Sequence, residues 1–198
     1  MYQTTIAQLK VSSLTVEHMK NPTTVDAVHP RLSWINEVKD SSVRGEKQTA
    51  YRVVVSSSEE KLENGEYDLW DSGRIPSERS TLIPYAGKEL QSGQDCYWKV
   101  QVWNKNKKAS AWSATAQWGM GLLKDSDWKA TWIKSEQEKG APLFRKAFTL
   151  KKKIEKAKAF VTSGGYFELY LNGTRVGEDY LVPNFTNYTP REGLDKGN

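Results

Sequence analysis

Asp95-Cys-Tyr-Trp-Lys-Val-Gln-Val-Trp-Asn104 is the stretch on which the fold turns. In an extended chain Cys96, Trp98, Val100 and Val102 share one side, and Tyr97, Lys99, Gln101 and Trp103 share the other. Lys99 and Gln101 belong in water, so the Cys-Trp-Val-Val side faces a core. The same period-two logic predicts strands over Leu9–Val16, Pro30–Asn36, Ala50–Ser56, Asp68–Gly73, Thr81–Ile83 and Thr115–Trp118. Trp34 reaches the common core from the second of them. Seven short strands in roughly 120 residues are the count and spacing of a β-sandwich. The one helical signal is Ser57–Asn64, with Ser57 or Ser58 as cap and Asn64-Gly65 as the stop.

A second region follows a glycine-containing break, Gly119-Met-Gly121, and the domain boundary is placed near residues 119–128. Pro142–Leu150 alternates, which predicts a strand with Phe144, Phe148 and Leu150 buried. Ala159–Gly177 reads as two strands joined by a hairpin. Asn172-Gly173 supplies the two positive-φ residues of a type I′ turn, and Phe167, Leu169 and Leu171 share one face. Gly164-Gly165 reads as a bend between strands. Two strands and a turn bury no core alone, so the chain is expected to be a piece of a larger protein.

The composition excludes several functions. The chain has 198 residues, 27% charged, with a net charge of +5 and no apolar run of transmembrane length. Its start lacks the basic-then-apolar plan of a signal peptide. The protein is then cytoplasmic, or periplasmic or extracellular with a leader removed. Cys96 is the only cysteine, so an internal disulfide is excluded, and it reads as a buried small hydrophobe. Lys105, Lys107 and Lys108, and the run Lys151–Lys158, read as solvated loop and edge residues. A nucleic-acid surface would want interleaved aromatics, and these clusters have none.

Several residues carry a family resemblance. Leu32-Ser-Trp34, Tyr51-Arg-Val-Val-Val55, Trp98-x-Val-x-Val-x-Asn104 and Ser110-Ala-Trp112-Ser113 resemble a fibronectin type III domain. Cys96 stands where such domains usually carry a tyrosine, with Tyr97 one step out of register, so the tyrosine-corner bond is not expected from Tyr97. The longer series Leu69-Trp-Asp-Ser-Gly73, Trp128-x-Ala-x-Trp132-Ile133, Phe144-Arg-Lys-x-Phe148, Gly165–Gly173 and Leu181-x-Pro183 is similar to the N-terminal region of bacterial α-L-rhamnosidases.

That resemblance implies an all-β chain in two parts. Residues 1–120 would be a fibronectin III-like sandwich, and 121–198 the truncated beginning of an accessory β-jelly-roll domain. Such enzymes release terminal α-L-rhamnose with inversion, using two acidic residues on a later α/α barrel. None of that barrel is in this sequence, so no catalytic residue is carried over. The implied role is structural, with the missing catalytic domain as the partner and rhamnose-containing glycans as a further candidate. Stand-alone carbohydrate-binding and surface-adhesion modules are the alternatives.

The residues themselves offer little chemistry. Asp68 and Asp71 flank Trp70, and Glu59-Glu60 form a pair, but Asp71 reads better as a cap on the Ser72-Gly73 turn. His18 and His29 lack zinc-ligand spacing and read as surface residues. No cofactor or metal is expected, no catalytic or cofactor-binding residue is assigned, and the substrate-binding residues are unknown. Eight Trp and nine Tyr are many for this length. Trp70, Trp98, Trp112 and Trp132 read as core. Trp103, Tyr97, Tyr166, Tyr170 and Tyr180 are candidate contacts to a neighbouring domain or, less favoured, to sugar. The glycosylation-like triplets at Asn172, Asn184 and Asn187 carry no argument.

Overall fold

The computed structural model describes residues 9–38, 44–136, 140–151, 153–154 and 156–178. The chain divides into two compact units, 1–149 and 150–198. The first unit holds the sandwich. Its strands are β1 (Leu9–Val16), β2 (Arg31–Val38), β3 (Gln48–Ser56), β4 (Trp70–Asp71), β5 (Ile75–Pro76), β6 (Ile83–Pro84), β7 (Asp95–Asn104) and β8 (Ala116–Gly119). One sheet runs β1-β2-β6. The other runs β4-β3-β7-β8, with β5 also on β3. All of these pairings are antiparallel.

The strand β7 falls on the expected residues and alternates as expected. Cys96, Trp98, Val100 and Val102 are wholly buried, and Tyr97, Lys99, Gln101 and Trp103 are half-buried. Trp34, Leu32, Val53 and Val55 meet them from the other strands. β1 holds its apolar side inward through a bulge. Its register jumps between Ser12 and Thr15, with Ser13 at φ 50°, so Leu14 stays buried. The helix α1 (Glu59–Glu63) has Ser58 as N-cap, its side chain accepting from Lys61 N–H at 3.2 Å.

Two features complete the sheet edges. Ser110 donates its N–H to Val102 O and accepts Val102 N–H on Oγ, at 2.8 and 3.1 Å. Ser113 repeats this on Val100 at 2.9 and 3.0 Å. Serine hydroxyls thus stand in for the carbonyls of a strand along the outer half of β7. The far edge of β8 is covered by residues 21–25. Gly119 N–H donates to Pro22 O, Val25 N–H to Gly119 O, and Gly121 N–H to Val25 O.

The tyrosine that ties the sandwich is Tyr85, not Tyr97. Its ring is buried and edge-on to Trp70 and Trp118, and its hydroxyl lies 2.8 Å from Lys88 O and 3.2 Å from Leu69 O. A Cβ on Gly87 would sit 2.5 Å from Leu69 O and from the Tyr85 hydroxyl, so the chain passes there too closely for a side chain.

The region after β8 differs from expectation in three ways. Gly119–Gly121 is not a loose break: Met120 is wholly buried and its N–H donates to Gln94 O at 2.7 Å. The clamp continues through Ser92, whose Oγ accepts Leu123 N–H and donates to Asp127 in the 3₁₀ turn Asp125–Asp127. Second, residues 142–150 are not a strand, and Phe144, Phe148 and Leu150 are exposed by 56, 65 and 57%. No described strand pairs with them, and without a ladder an alternating sequence has no sheet to fix its faces. Third, Trp132 is 75% exposed and is not core.

In the second unit the expected hairpin is present but short. β9 (Tyr170–Leu171) pairs with β10 (Thr174–Arg175), and Asn172 and Gly173 have φ of 50 and 83° as a type I′ turn requires. Phe167 and Leu169 are half-buried and Leu171 is 56% exposed, so the predicted face is only partly covered. Gly164-Gly165 forms the expected bend. Tyr180, Leu181, Pro183, Asn184 and Asn187 lie outside the described residues.

Candidate functional site

The outward side of the five-stranded sheet carries an unusual layer. Along β3 and β7 the outward positions are Ala50, Arg52, Val54 and Ser56 facing Trp103, Gln101, Lys99 and Tyr97. Arg52 forks onto Asp71 of β4, with Nε to Oδ1 at 2.9 Å and Nη2 to Oδ2 at 2.6 Å. Its guanidinium also lies 5.7 Å from the Tyr67 ring centre and 5.8 Å from that of Trp112. Arg74 lies 5.0 Å from the ring centre of Trp103. Trp112, predicted as core, is instead half-buried in this outer layer, because the adjacent Ser113 points its hydroxyl toward β7 and sends the indole the other way. Val54, although outward, is wholly buried.

This arrangement bears on sugar binding. A pyranose stacks on a free ring face, and Trp103, Trp112 and Tyr67 each already have an arginine over one face of the ring. Tyr97 and Trp103 do share one side of the sheet, as predicted, and both are half-buried. Tyr166 and Tyr170, in the second unit, are each 55% exposed, and the Tyr170 hydroxyl donates to Glu168 Oε2 at 2.8 Å.

The carboxylates are committed to structure. Burial works to raise the Asp68 pKa, but hydrogen bonds from Lys61 Nζ, Ser57 Oγ and Ser57 N–H outweigh it and hold the group at about 2. Asp71 is lowered chiefly by the Arg52 fork, and its Oδ1 also accepts Gly73 N–H at 2.9 Å, so it caps the turn as expected. Glu59 and Glu60 are exposed on the first turn of α1. The sheet does bring Asp68 and Asp71 to one edge, each with a cation already bound, and neither is held protonated as a general acid must be. His18 and His29 are both exposed, with His29 Nδ1 3.3 Å from Tyr85 O. Among the described residues no group of three potential metal ligands occurs. Among them, too, no helix is long and apolar enough to cross a membrane.

Sequence reading missed the arginine–aromatic layer. Arg52 and Arg74 lie far in sequence from Trp112 and Trp103, and only strand pairing brings them together. The available signal was Arg52 two residues from the buried Val54 in a strand otherwise apolar.

Two antiparallel sheets of this order, closed around Trp34, Trp98 and Trp118, define an immunoglobulin-like β-sandwich. Residues 11–124 match the Rha78A-like N-terminal immunoglobulin domain, and the chain belongs to that family. Residues 152–195 match the alpha-L-rhamnosidase N-terminal domain. The chain is 37% identical over 187 residues to an alpha-L-rhamnosidase of Formosa agariphila, a match covering 88% of this chain and 20% of that protein. It is 35% identical over 195 residues to one from an Alteromonas species, covering 92% of this chain and 21% of the relative. It is similar to the crystal structure of Streptomyces avermitilis alpha-L-rhamnosidase complexed with L-rhamnose, at 42% identity and a TM-score of 0.59, over 64% of this chain and 12% of that one. A second similar structure, the alpha-L-rhamnosidase from Dictyoglumus thermophilum, gives 34% identity and a TM-score of 0.62 over 69% and 15%. The chain spans about a fifth of the length of the relatives it matches most extensively.

Proposed function

We propose that this chain is a non-catalytic N-terminal module of an α-L-rhamnosidase, and that its role is to orient and stabilise the catalytic domain of the same parent protein. The observation that carries this reading is the ordered match of residues 11–124 and 152–195 to two N-terminal domain families of such enzymes. The structure adds a chemical argument: Asp68 and Asp71 are spent on structural pairs with Lys61 and Arg52. An inverting glycosidase needs two carboxyl groups roughly 6.5–9.5 Å apart, one of them protonated.

The test is hydrolysis of an aryl α-L-rhamnoside by the 198-residue chain and by a full-length parent protein. The parent is expected to turn the substrate over and the chain alone to leave it intact. Turnover by the chain that survives repurification would overturn the non-catalytic assignment, and an inactive parent would overturn the rhamnosidase assignment.

A further inference from the structure

The lysine cluster that follows β7 plays no part in the core, yet the fold gathers more cations around it. Lys105 Nζ lies 3.3 Å from Arg44 O, which brings residue 44 beside the turn. Trp103, the last outward residue of β7, faces Ala50 and carries the Arg74 guanidinium over its ring. Arg74 immediately precedes β5, which pairs with the Ala50–Tyr51 end of β3. Arg44, Arg74, Lys105, Lys107 and Lys108 therefore collect at one end of the five-stranded sheet. All five are exposed, and none forms an ion pair among the described residues.

The nearby carboxylates offset only part of this charge. Glu78 pairs with Lys47, and Glu46, which accepts from the neutral amide of Asn104 at 3.3 Å, leaves an excess of four positive charges. Lys107 holds φ at 58°, where asparagine or glycine would rest with less strain. Exposed like charges gathered at one end of a sheet repel one another, and a bound polyanion relieves that repulsion while releasing counterions.

The form of the site narrows the polyanion. Single-stranded nucleic acid binds by stacking bases on free aromatic faces. The aromatic here, Trp103, has its ring under Arg74. What remains is an exposed turn of ammonium and guanidinium groups, suited to carboxylates spaced along a chain. We propose that this corner binds an acidic polysaccharide, a glycan bearing uronate carboxylates. The proposal rests on the reading of the chain as a glycosidase module, whose parent would meet polymeric glycans.

The test uses the 198-residue chain in affinity electrophoresis and calorimetry with polygalacturonate, with neutral dextran as the control. Polygalacturonate is expected to bind and dextran not to, with affinity falling about tenfold or more between roughly 50 and 200 mM NaCl. The triple variant K105E/K107E/K108E is expected to lose at least about tenfold, while K10E/K20E/K129E, with the same net charge, stays within about twofold. A neutral K105Q/K107Q/K108Q chain, checked for a native near-ultraviolet spectrum, should show the same loss without charge reversal. Absence of polygalacturonate binding, equal losses in the two reversed triples, or tighter binding of a single-stranded oligonucleotide would each overturn the proposal. Failure here with an active parent enzyme leaves the module reading standing; binding here with an inactive parent removes that reading alone.

Discussion

Trp34 Nε1 on β2 donates to Gln48 Oε1 on β3 at 3.0 Å, a buried polar link between the two sheets. Gln48 is 3% exposed, yet its amide is fully used. The oxygen also accepts from Asn36 Nδ2 at 3.0 Å, and the nitrogen donates to Ser77 O and Arg79 O at 3.1 and 2.8 Å. Gln48→Met keeps the length but leaves these partners unsatisfied in a dry interior. The expected loss is about 2–4 kcal/mol. Chemical denaturation should show a lower midpoint at unchanged slope.

A comparison of two core tryptophans follows from the same bond. Trp34 and Trp98 are both essentially buried, but Trp98 Nε1 has no hydrogen-bond partner among the described residues. Replacement by phenylalanine leaves a similar cavity at both sites. At Trp34 it also breaks a bond and strips Gln48 of a donor, whereas at Trp98 it removes an indole N–H already unsatisfied. Trp34→Phe is therefore expected to cost about 1–2 kcal/mol more than Trp98→Phe. Paired urea titrations measure the difference, and equal costs would remove the role assigned to the inter-sheet bond.

How far the sequence led depends on where each residue's partners lie. β7 was legible because its ten residues alternate without interruption and both faces are chemically distinct. The caps of α1 and the Asn172-Gly173 turn were legible because turn chemistry is local. β5 was missed, since Ile75-Pro76 is too short for periodicity and is defined only by its pairing with Ala50 and Tyr51. Trp112 was misassigned because tryptophan composition favours a core, and only the Ser113 bond to β7 and the Arg52 contact reveal that it faces outward. Phe144 and Phe148 alternate like a buried strand, but burial depends on a paired neighbour that the local sequence does not specify.

Two serines give a third prediction. Ser110 and Ser113 are 3 and 7% exposed, and each closes a two-way bond with a β7 residue. Alanine at either position leaves the Val102 or Val100 N–H unsatisfied, at about 1–2 kcal/mol each. Amide hydrogen exchange should report it locally, with faster exchange at Val100 for Ser113→Ala and at Val102 for Ser110→Ala. Faster exchange spread evenly over all strands would mean that the serines act through global stability instead.

Acid should act through Asp68. Its carboxyl has a pKa of about 2 in the fold against an ordinary value of 3.8, so the unfolded chain takes up the proton first as pH falls. The stability it contributes is complete above about pH 4 and disappears as pH falls through about 2. The pair with Lys61 is partly exposed, with side-chain accessibilities of 43 and 31%, so the effect is small, about 1 kcal/mol. Asp68→Asn should flatten the stability profile between pH 4 and 2 relative to the parent chain, read by thermal melts across that range.

Alkali should act through Tyr85, and in the opposite direction. Burial is the largest cause that raises its phenol well above the ordinary value of 10, and its hydroxyl donates toward Lys88 O, a bond only the neutral form makes. The folded state keeps the proton where the unfolded chain gives it up. The stabilisation is whole below pH 10 and is lost as pH rises above it. Tyr85→Phe keeps the ring against Trp70 and Trp118 while removing the hydroxyl, at a neutral-pH cost of about 1–2 kcal/mol. Since phenylalanine has no proton to lose, the variant's stability should fall less steeply above pH 10 than the parent chain's. Phenolate absorbance followed during the same titration should show the buried tyrosines, Tyr85 and Tyr51, ionising late, and this step should shrink by one tyrosine in Tyr85→Phe. A Tyr85 that titrates freely in the folded chain would mean that its hydroxyl is neither buried nor bound to the Lys88 carbonyl.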